Sequence, residues 1–146
     1  MKKVKFLFVA LVCLLLSAPV MADDMPIPAE QLPAAAKAFV KKHFAGKKIV
    51  YAEKDTEFFG ATYEARLSDG SKVEFDKKGN WDKVECKGSA VPAALVPAAI
   101  AQYVKQNFDG IAIVKIDKER YGYEIELAND VELKFNKKGA LIGMDD

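Results

Sequence analysis

Leu32-Pro33-Ala34-Ala35, with Phe39-Val40-Lys41, Phe44 and Gly46 behind it, is written again 64 positions later as Val96-Pro97-Ala98-Ala99, Tyr103-Val104-Lys105, Phe108 and Gly110. Ile27-Pro28-Ala29 and Val91-Pro92-Ala93 open the two copies. Farther on, Tyr63-Glu64-Ala65-Arg66-Leu67 returns as Tyr123-Glu124-Ile125-Glu126-Leu127, and Phe75-Asp76-Lys77-Lys78-Gly79 as Phe135-Asn136-Lys137-Lys138-Gly139, both 60 positions on. The four-residue difference falls between these blocks and is expected in a hairpin. A period of this size marks a duplicated supersecondary unit, so the repeat specifies architecture before chemistry.

Within a unit, Ala36, Phe39, Val40 and Phe44 lie three and four apart with Lys37, Lys41 and Lys42 between them, which predicts an amphipathic helix from Pro33 to Phe44. Proline suits a helix start, where a missing N–H breaks no internal bond, and Gly46 suits the exit, where left-handed backbone is needed. Pro97 and Gly110 take these places in the second unit, with Ile100, Tyr103, Val104 and Phe108 along the stripe. After each helix the period drops to two. Strands are predicted at about Lys48 to Lys54, Phe58 to Leu67, Lys72 to Asp76 and Asn80 to Cys86, then Ile111 to Lys118, Tyr121 to Leu127, Val131 to Asn136 and Ala140 to Met144. Ser68-Asp69-Gly70 and Ala128-Asn129-Asp130 mark one pair of turns, and the Asx residues Asp76 and Asn136 start another.

The expected fold is therefore α+β: two tandem α-β4 repeats, 27–86 and 91–146, forming one antiparallel sheet of about eight strands with helices on one face. Each repeat alone buries too little surface to be stable, so the two should share a core. Alternation assigns Val50, Ala52, Tyr63, Ala65, Leu67, Val73 and Phe75 to the helix face, matched by Val114, Ile116, Tyr123, Ile125, Leu127, Leu133 and Phe135. The other face carries Glu53, Glu64, Arg66, Lys72, Glu74 and Lys83, then Lys115, Glu124, Glu126, Glu132 and Lys134, and should meet water.

The N-terminus sets the compartment. Lys2, Lys3 and Lys5 precede an uncharged run from Phe6 to Val20, with small residues at Ala18 and Ala22. That is a signal-peptide layout over 1–22, leaving a single domain at 23–146 in the periplasm or secreted. The run is shorter than the roughly 20 residues that span a bilayer, so no stable membrane insertion is expected after cleavage. A lipid-accepting role for Cys13 fails because Val12 stands where a small residue is needed. Removing the leader takes three lysines and no acid, moving the net charge from +1 to −2. A mixed surface of that kind has no clustered positive charge for nucleic acid.

No catalytic set is legible, and the expectation is a non-enzyme. Cys86 is the lone mature thiol and His43 the lone histidine, too few for a zinc set, and no cofactor is implied. Cys86 reads as a small packed hydrophobe near a strand end. His43 falls in the last turn of a helix, where the dipole favours positive charge, and Asn107 stands at its place in the second unit. Glu124 with Glu126, or Asp145-Asp146, could be set to acid–base or calcium chemistry, but they lack calcium-loop spacing and an apolar surrounding that would shift a pKa. Lys77-Lys78 and Lys137-Lys138 are too short for a phosphate patch.

The units disagree at Tyr51 against Lys115, Arg66 against Glu126, and Trp81 against Leu141. With Val84 and Cys86 facing the core, Trp81 turns outward beside Lys83, so Tyr51, Arg66, Trp81 and Lys83 form a candidate partner-binding face. A one-residue slip in register would instead bury Trp81 at the core edge.

Leu32-Pro33, Lys37, Phe39-Val40 and Phe44, with Tyr63-Glu64-Ala65 and Phe75-Asp76-Lys77-Lys78-Gly79, resemble the PepSY-like proteins exported by Bacteroidetes, and the signature occurs twice. Ala45 and Asp109 depart from the usual Phe-Pro helix exit, and Val96 replaces the second Leu. The resemblance implies a fold like that of the β-lactamase inhibitory protein, whose concave sheet grips an enzyme, and an association with restraining envelope peptidases. It transfers no catalytic or ligand residue. The function expected is an exported binding module for a protein or peptide in the cell envelope, with inhibition of a peptidase or other hydrolase implied by the resemblance. The alternative is a periplasmic small-ligand or cation sensor using the acidic strand face of the second unit.

Overall fold

A computed structural model of the chain describes residues 24–57 and 60–146. The leader at 1–22 and Cys13 lie outside the described residues, as does Phe58, the expected start of the second strand. The elements run β1 (Met25–Pro26), α1 (Ala34–His43), β2 (Ile49–Glu57), β3 (Gly60–Leu67), β4 (Lys72–Phe75) and β5 (Trp81–Glu85), then α2 (Ala98–Asn107), β6 (Ile113–Glu119), β7 (Gly122–Leu127), β8 (Glu132–Asn136) and β9 (Leu141–Asp145). Short 3-10 turns at Ala29–Gln31 and Ala93–Leu95 lead into the helices.

All strands join one antiparallel α+β sheet whose spatial order is the chain order, β1 to β9. It has nine strands among the described residues, where eight were expected. The addition is β1, which pairs Met25 with Lys54 and Pro26 with Glu53. Two residues show no alternation to read, and Pro26 is tolerated there because β1 is an edge. The β2–β3 hairpin is longer than the β6–β7 hairpin, continuing past Asp55↔Thr62 to Glu57↔Gly60, whereas β6–β7 closes at Glu119↔Gly122. The four-residue difference lies there.

Both helices cover one face. Pro33 and Pro97 sit at the N-caps, and the Phe44 and Phe108 N–H groups close the last turns onto the Val40 and Val104 carbonyls at 2.8 and 2.7 Å. The stripe from α1 sends Phe39 edge-on against Phe75, ring centroids 5.6 Å apart, and α2 sets Tyr103 on Phe135 at 5.4 Å. Phe75 and Phe135 are fully buried with Val73, Leu133, Ile116 and Ile125, and each such side chain stabilises by about 1.5–3 kcal/mol through apolar burial.

Four β-bulges adjust the faces. Those between Ile49 and Tyr51 and between Ile113 and Lys115 place Ile49 and Ile113 against the core. Val50, expected inside, is 64% exposed, and Val114 is only half-buried. The extra residue of a bulge reverses alternation locally. The other two lie between Glu74 and Phe75 and between Lys134 and Phe135.

The Asx turns hold as read: Asp76 Oδ1 accepts from the Lys78 and Asn80 N–H groups at 2.8 and 2.9 Å, and Asn136 Oδ1 from those of Lys138 and Ala140 at 2.9 and 3.0 Å. Each turn ends on a left-handed glycine, Gly79 or Gly139, that presses on the start of a helix. Cys86 is buried in the core, and burial pushes its thiol up.

Candidate functional site

Because the helices occupy one side, the other side of the sheet is a continuous exposed ladder of charge. Strand register aligns Tyr51, Arg66, Lys72, Glu85, Lys115, Glu126, Glu132 and Asp145 in one cross-strand row from β2 to β9. Beside it runs Glu53, Glu64, Glu74, Lys83, Asp117, Glu124, Lys134 and Gly143. Opposite residues in such rows lie about 5 Å apart, close enough for long charged side chains to meet.

They do meet. Arg66 Nε donates to Glu64 Oε1 at 2.7 Å, and Lys72 Nζ lies 3.7 Å from both Glu64 and Glu74. Lys83 Nζ bridges Glu74 at 3.7 Å and Asp117 at 3.3 Å, Lys115 lies 3.6 Å from Glu126, and Lys134 donates to Asp145 at 3.0 Å. Surface pairs of this kind contribute little each, about 0.2–1 kcal/mol. Their effect is to fix where the charges stand. Burial alone would lower the Lys83 ammonium, but Glu74 and Asp117 outweigh it and hold the group above its ordinary value.

Tyr51 and Arg66 come together. The Arg66 guanidinium sits 5.0 Å from the Tyr51 ring centroid, and the Tyr51 hydroxyl donates to Glu53 Oε2 at 2.8 Å, which raises the phenol above its usual range. Lys83 shares this face two strands beyond Arg66, roughly 10 Å away at the usual strand spacing.

Trp81 does not share it. The bulge opposite Phe75 inserts Asp82 between the outward Lys83 and Trp81, so Trp81 pairs with Phe75 and turns to the helix side. Its ring lies 6.2 Å from Phe39, with Lys118 Nζ 3.8 Å over it. The outward placement of Trp81 is corrected to the buried-edge alternative. His43 stands in the last turn of α1 as expected, with its ring tilted 4.6 Å from that of Phe39, and burial, with Lys42 beside it, lowers its pKa where the helix dipole would raise it.

Sequence alternation missed Asp55, Asp82, Glu85, Asp117 and Asp145 on or beside this face. Glu85 and Asp117 follow from the same alternation extended along β5 and β6, but Asp82 depends on the bulge. Two hollows adjoin the rows. One of about 730 Å³ lies where the β5–β6 connection crosses, with Glu85, Lys115 and Glu126 on its charged side and Ala112, Val114 and Leu127 among its apolar lining. The other, about 120 Å³, is ringed by Glu53, Asp55, Glu64, Glu74 and Asp82 with Thr62. Among the described residues no group of three or more His, Cys, Asp or Glu side chains is arranged to hold a metal ion, and no helix is long and apolar enough to cross a membrane.

An antiparallel sheet roofed by two helices on one side and left open on the other defines an α+β protein with one covered and one open sheet face. The family model described as "Putative beta-lactamase-inhibitor-like, PepSY-like" matches residues 20–60 and 61–143, and the chain belongs to this PepSY-like family. It is similar to a "putative calcium-regulated periplasmic protein" of Bacteroides thetaiotaomicron, with 44% identity and a TM-score of 0.81 over 85% of this chain and 98% of that one. Two periplasmic proteins of Bacteroides vulgatus are also similar. One is 42% identical with a TM-score of 0.80 over 85% of this chain and 98% of its own. The other, of unknown function, is 35% identical with a TM-score of 0.80 over 84% and 99%. None of the curated proteins matches the chain. Like these relatives, the chain is a periplasmic protein.

Proposed function

We propose that the chain is a non-enzymatic periplasmic binding module that presents its open sheet face to a protein or peptide of the cell envelope, restraining a peptidase or other hydrolase there. The observation that supports this reading most is the pair of charged rows, which cross eight strands without interruption by an apolar residue other than Tyr51 and Gly143. A solvated face held in fixed geometry steers and selects a partner by charge complementarity. Tyr51 and Arg66, stacked on one another, are residue types that anchor protein contacts, and Lys83 extends the same face.

The test is cross-linking in periplasmic extract with three proteins: the parent, Arg66→Glu with Lys83→Glu, and a control changed on the helix side at Lys105→Glu. A discrete partner captured by the parent and the control, and lost with the double variant, supports the reading. Equal capture by all three places the contact elsewhere.

A second reading, a small-ligand or cation sensor, draws on two observations. One similar protein carries "calcium-regulated" in its name. In this chain the neighbouring Glu124 carboxyl, with burial, raises Glu132 above its ordinary value. Two carboxyls in contact favour a proton or a cation between them. Calcium bound there would raise the melting temperature by mass action, and Glu124→Gln would abolish the rise.

A further inference from the structure

The duplication shows what one strand lacks. β5 and β9 hold equivalent positions and meet β4 and β8 in the same register, with a bulge at the same place. Val84 pairs with Val73 as Met144 does with Leu133, and Glu85 with Lys72 as Asp145 does with Glu132. On its other side β5 carries β6, through Lys83↔Asp117, Val84↔Ile116 and Glu85↔Lys115. Among the described residues no strand takes that place beside β9. Val84, between Val73 and Ile116, is fully buried, whereas Met144 is 58% exposed and Ile142 is 55% exposed. The core layer is therefore open at Met144, and the unpaired main-chain groups along β9 template a further strand. The bulge does not blunt this edge, since the same bulge leaves Lys83 to Glu85 of β5 able to pair. The opposite edge is closed. β1 lies on β2 at Glu53 and Lys54, the Ile27 N–H donates to the Ala52 carbonyl at 2.9 Å, and Pro26 has no N–H to offer a further strand.

We infer that β9 is a docking strand: it takes up an extended segment of a partner protein by strand addition, with a branched apolar side chain beside Met144 and a lysine or arginine against Asp145. The β5–β6 seam supplies the pattern, because there Ile116 lies beside Val84 and Lys115 beside Glu85. Charge gives the same sign. In the β8 and β9 parts of the charged rows Lys134 alone is positive, 3.8 Å from Glu132 and 3.0 Å from Asp145, and Asp146 follows. A second copy fits this edge poorly. Pairing β9 with β9 would add a second set of carboxylates to the same face, where like charges on neighbouring strands repel. The β2 edge of another copy, the counterpart of β6, is already covered by β1. The site lies on the edge of the sheet and stands independently of the open face.

The probe is a seven-residue peptide with lysine, isoleucine and threonine in that order at its centre, serine and threonine outside them, and both ends blocked. It is titrated to millimolar concentration into the full mature chain, isotopically labelled, and the amide shifts are followed by nuclear magnetic resonance. Shifts centred on Leu141–Asp145 are expected. Met144→Lys and Asp145→Lys should each weaken binding about fivefold or more. Met25→Lys, at a methionine just as exposed on the opposite edge, should leave it unchanged. All three side chains are exposed, and the undisturbed remainder of the spectrum shows that each variant is folded. Strand addition also has a signature that loose adhesion lacks. N-methylation at alternate peptide amides should abolish binding for the set whose N–H groups face β9 and spare the other set. Absence of shifts at β9, equal binding of the two methylated peptides, or binding insensitive to Met144→Lys or Asp145→Lys overturns the inference. So does dimerisation of the chain alone that Met144→Lys abolishes, because the edge then belongs to a second copy. Arg66→Glu with Lys83→Glu should leave the peptide bound, so the open-face reading fails or holds separately.

Discussion

Gly79 rests so closely on Pro33 that a Cβ at Gly79 would lie 2.8 Å from the Pro33 Cβ, and 3.0 Å from the Ala36 nitrogen. The two phrases that recur most faithfully in the sequence, the helix start and the lysine-glycine turn, are thus the two surfaces that touch. Gly139 repeats the contact against Ala99, where a Cβ would lie 2.7 Å away.

Gly79→Ala and Gly139→Ala should each destabilise by about 2–4 kcal/mol, from left-handed backbone strain plus the overlap with the helix. Gly46→Ala and Gly88→Ala keep the strain, with φ of +79° and +81°, but meet open space. They should lose only about 1–2 kcal/mol. Urea unfolding of the four variants separates the two contributions, and equal losses would show that the contact is immaterial.

Asp130 holds φ at 67°, alone among the described non-glycine residues, at the turn where the first half has Gly70. Asp130→Gly should stabilise by about 0.5–1 kcal/mol, since relief of a left-handed side chain exceeds the added freedom of the unfolded chain. A lower melting temperature would contradict this.

The Asx turns differ in one titratable group. Burial would raise the Asp76 carboxyl, but the Asn80 and Lys78 N–H groups together outweigh it and hold its pKa below the ordinary value. A depressed carboxylate contributes stability in full above its unfolded value, about 3.9, and loses it as pH falls through the folded value. Asp76→Asn, which copies Asn136, should therefore flatten the loss of stability below pH 4 and change little at pH 7. Melting curves across pH 2 to 7 would show an unchanged acid limb if the turn carries none of it.

Trp81→Ala should cost about 2–3 kcal/mol, less than a fully buried aromatic because the ring is only half-buried against Phe39. Partner capture by the folded variant should persist, because the ring belongs to the helix side. Loss of capture with unchanged stability would return Trp81 to the binding face.

The helices, the turns and the polar alternation of the open face were legible because each depends on residues a few positions apart. The faces failed where a bulge intervened. Val50 and Trp81 were assigned by strict alternation, and in each case one extra residue in the strand reversed the parity. Bulges at Ile49/Tyr51 and Ile113/Lys115 leave no composition signal, since each falls at an Ile-Val pair that reads as ordinary strand. β1 escaped for a different reason: its position follows from where the chain passes before α1, not from its two residues. The hollow at Asp55 and Asp82 needed four strands, β2 to β5, placed side by side before its carboxylates could be seen as neighbours.

The sheet's spatial order is its chain order, and the strand ladder that joins the first half to the second is short, pairing Lys83↔Asp117, Val84↔Ile116 and Glu85↔Lys115. No strand has to wait for a partner made much later, so the closure entropy of each pairing is small and assembly can proceed by adding hairpins in sequence. Rapid folding from whichever part forms first is the kinetic consequence, and the β5–β6 seam is the step at which two half-built sheets become one cooperative unit.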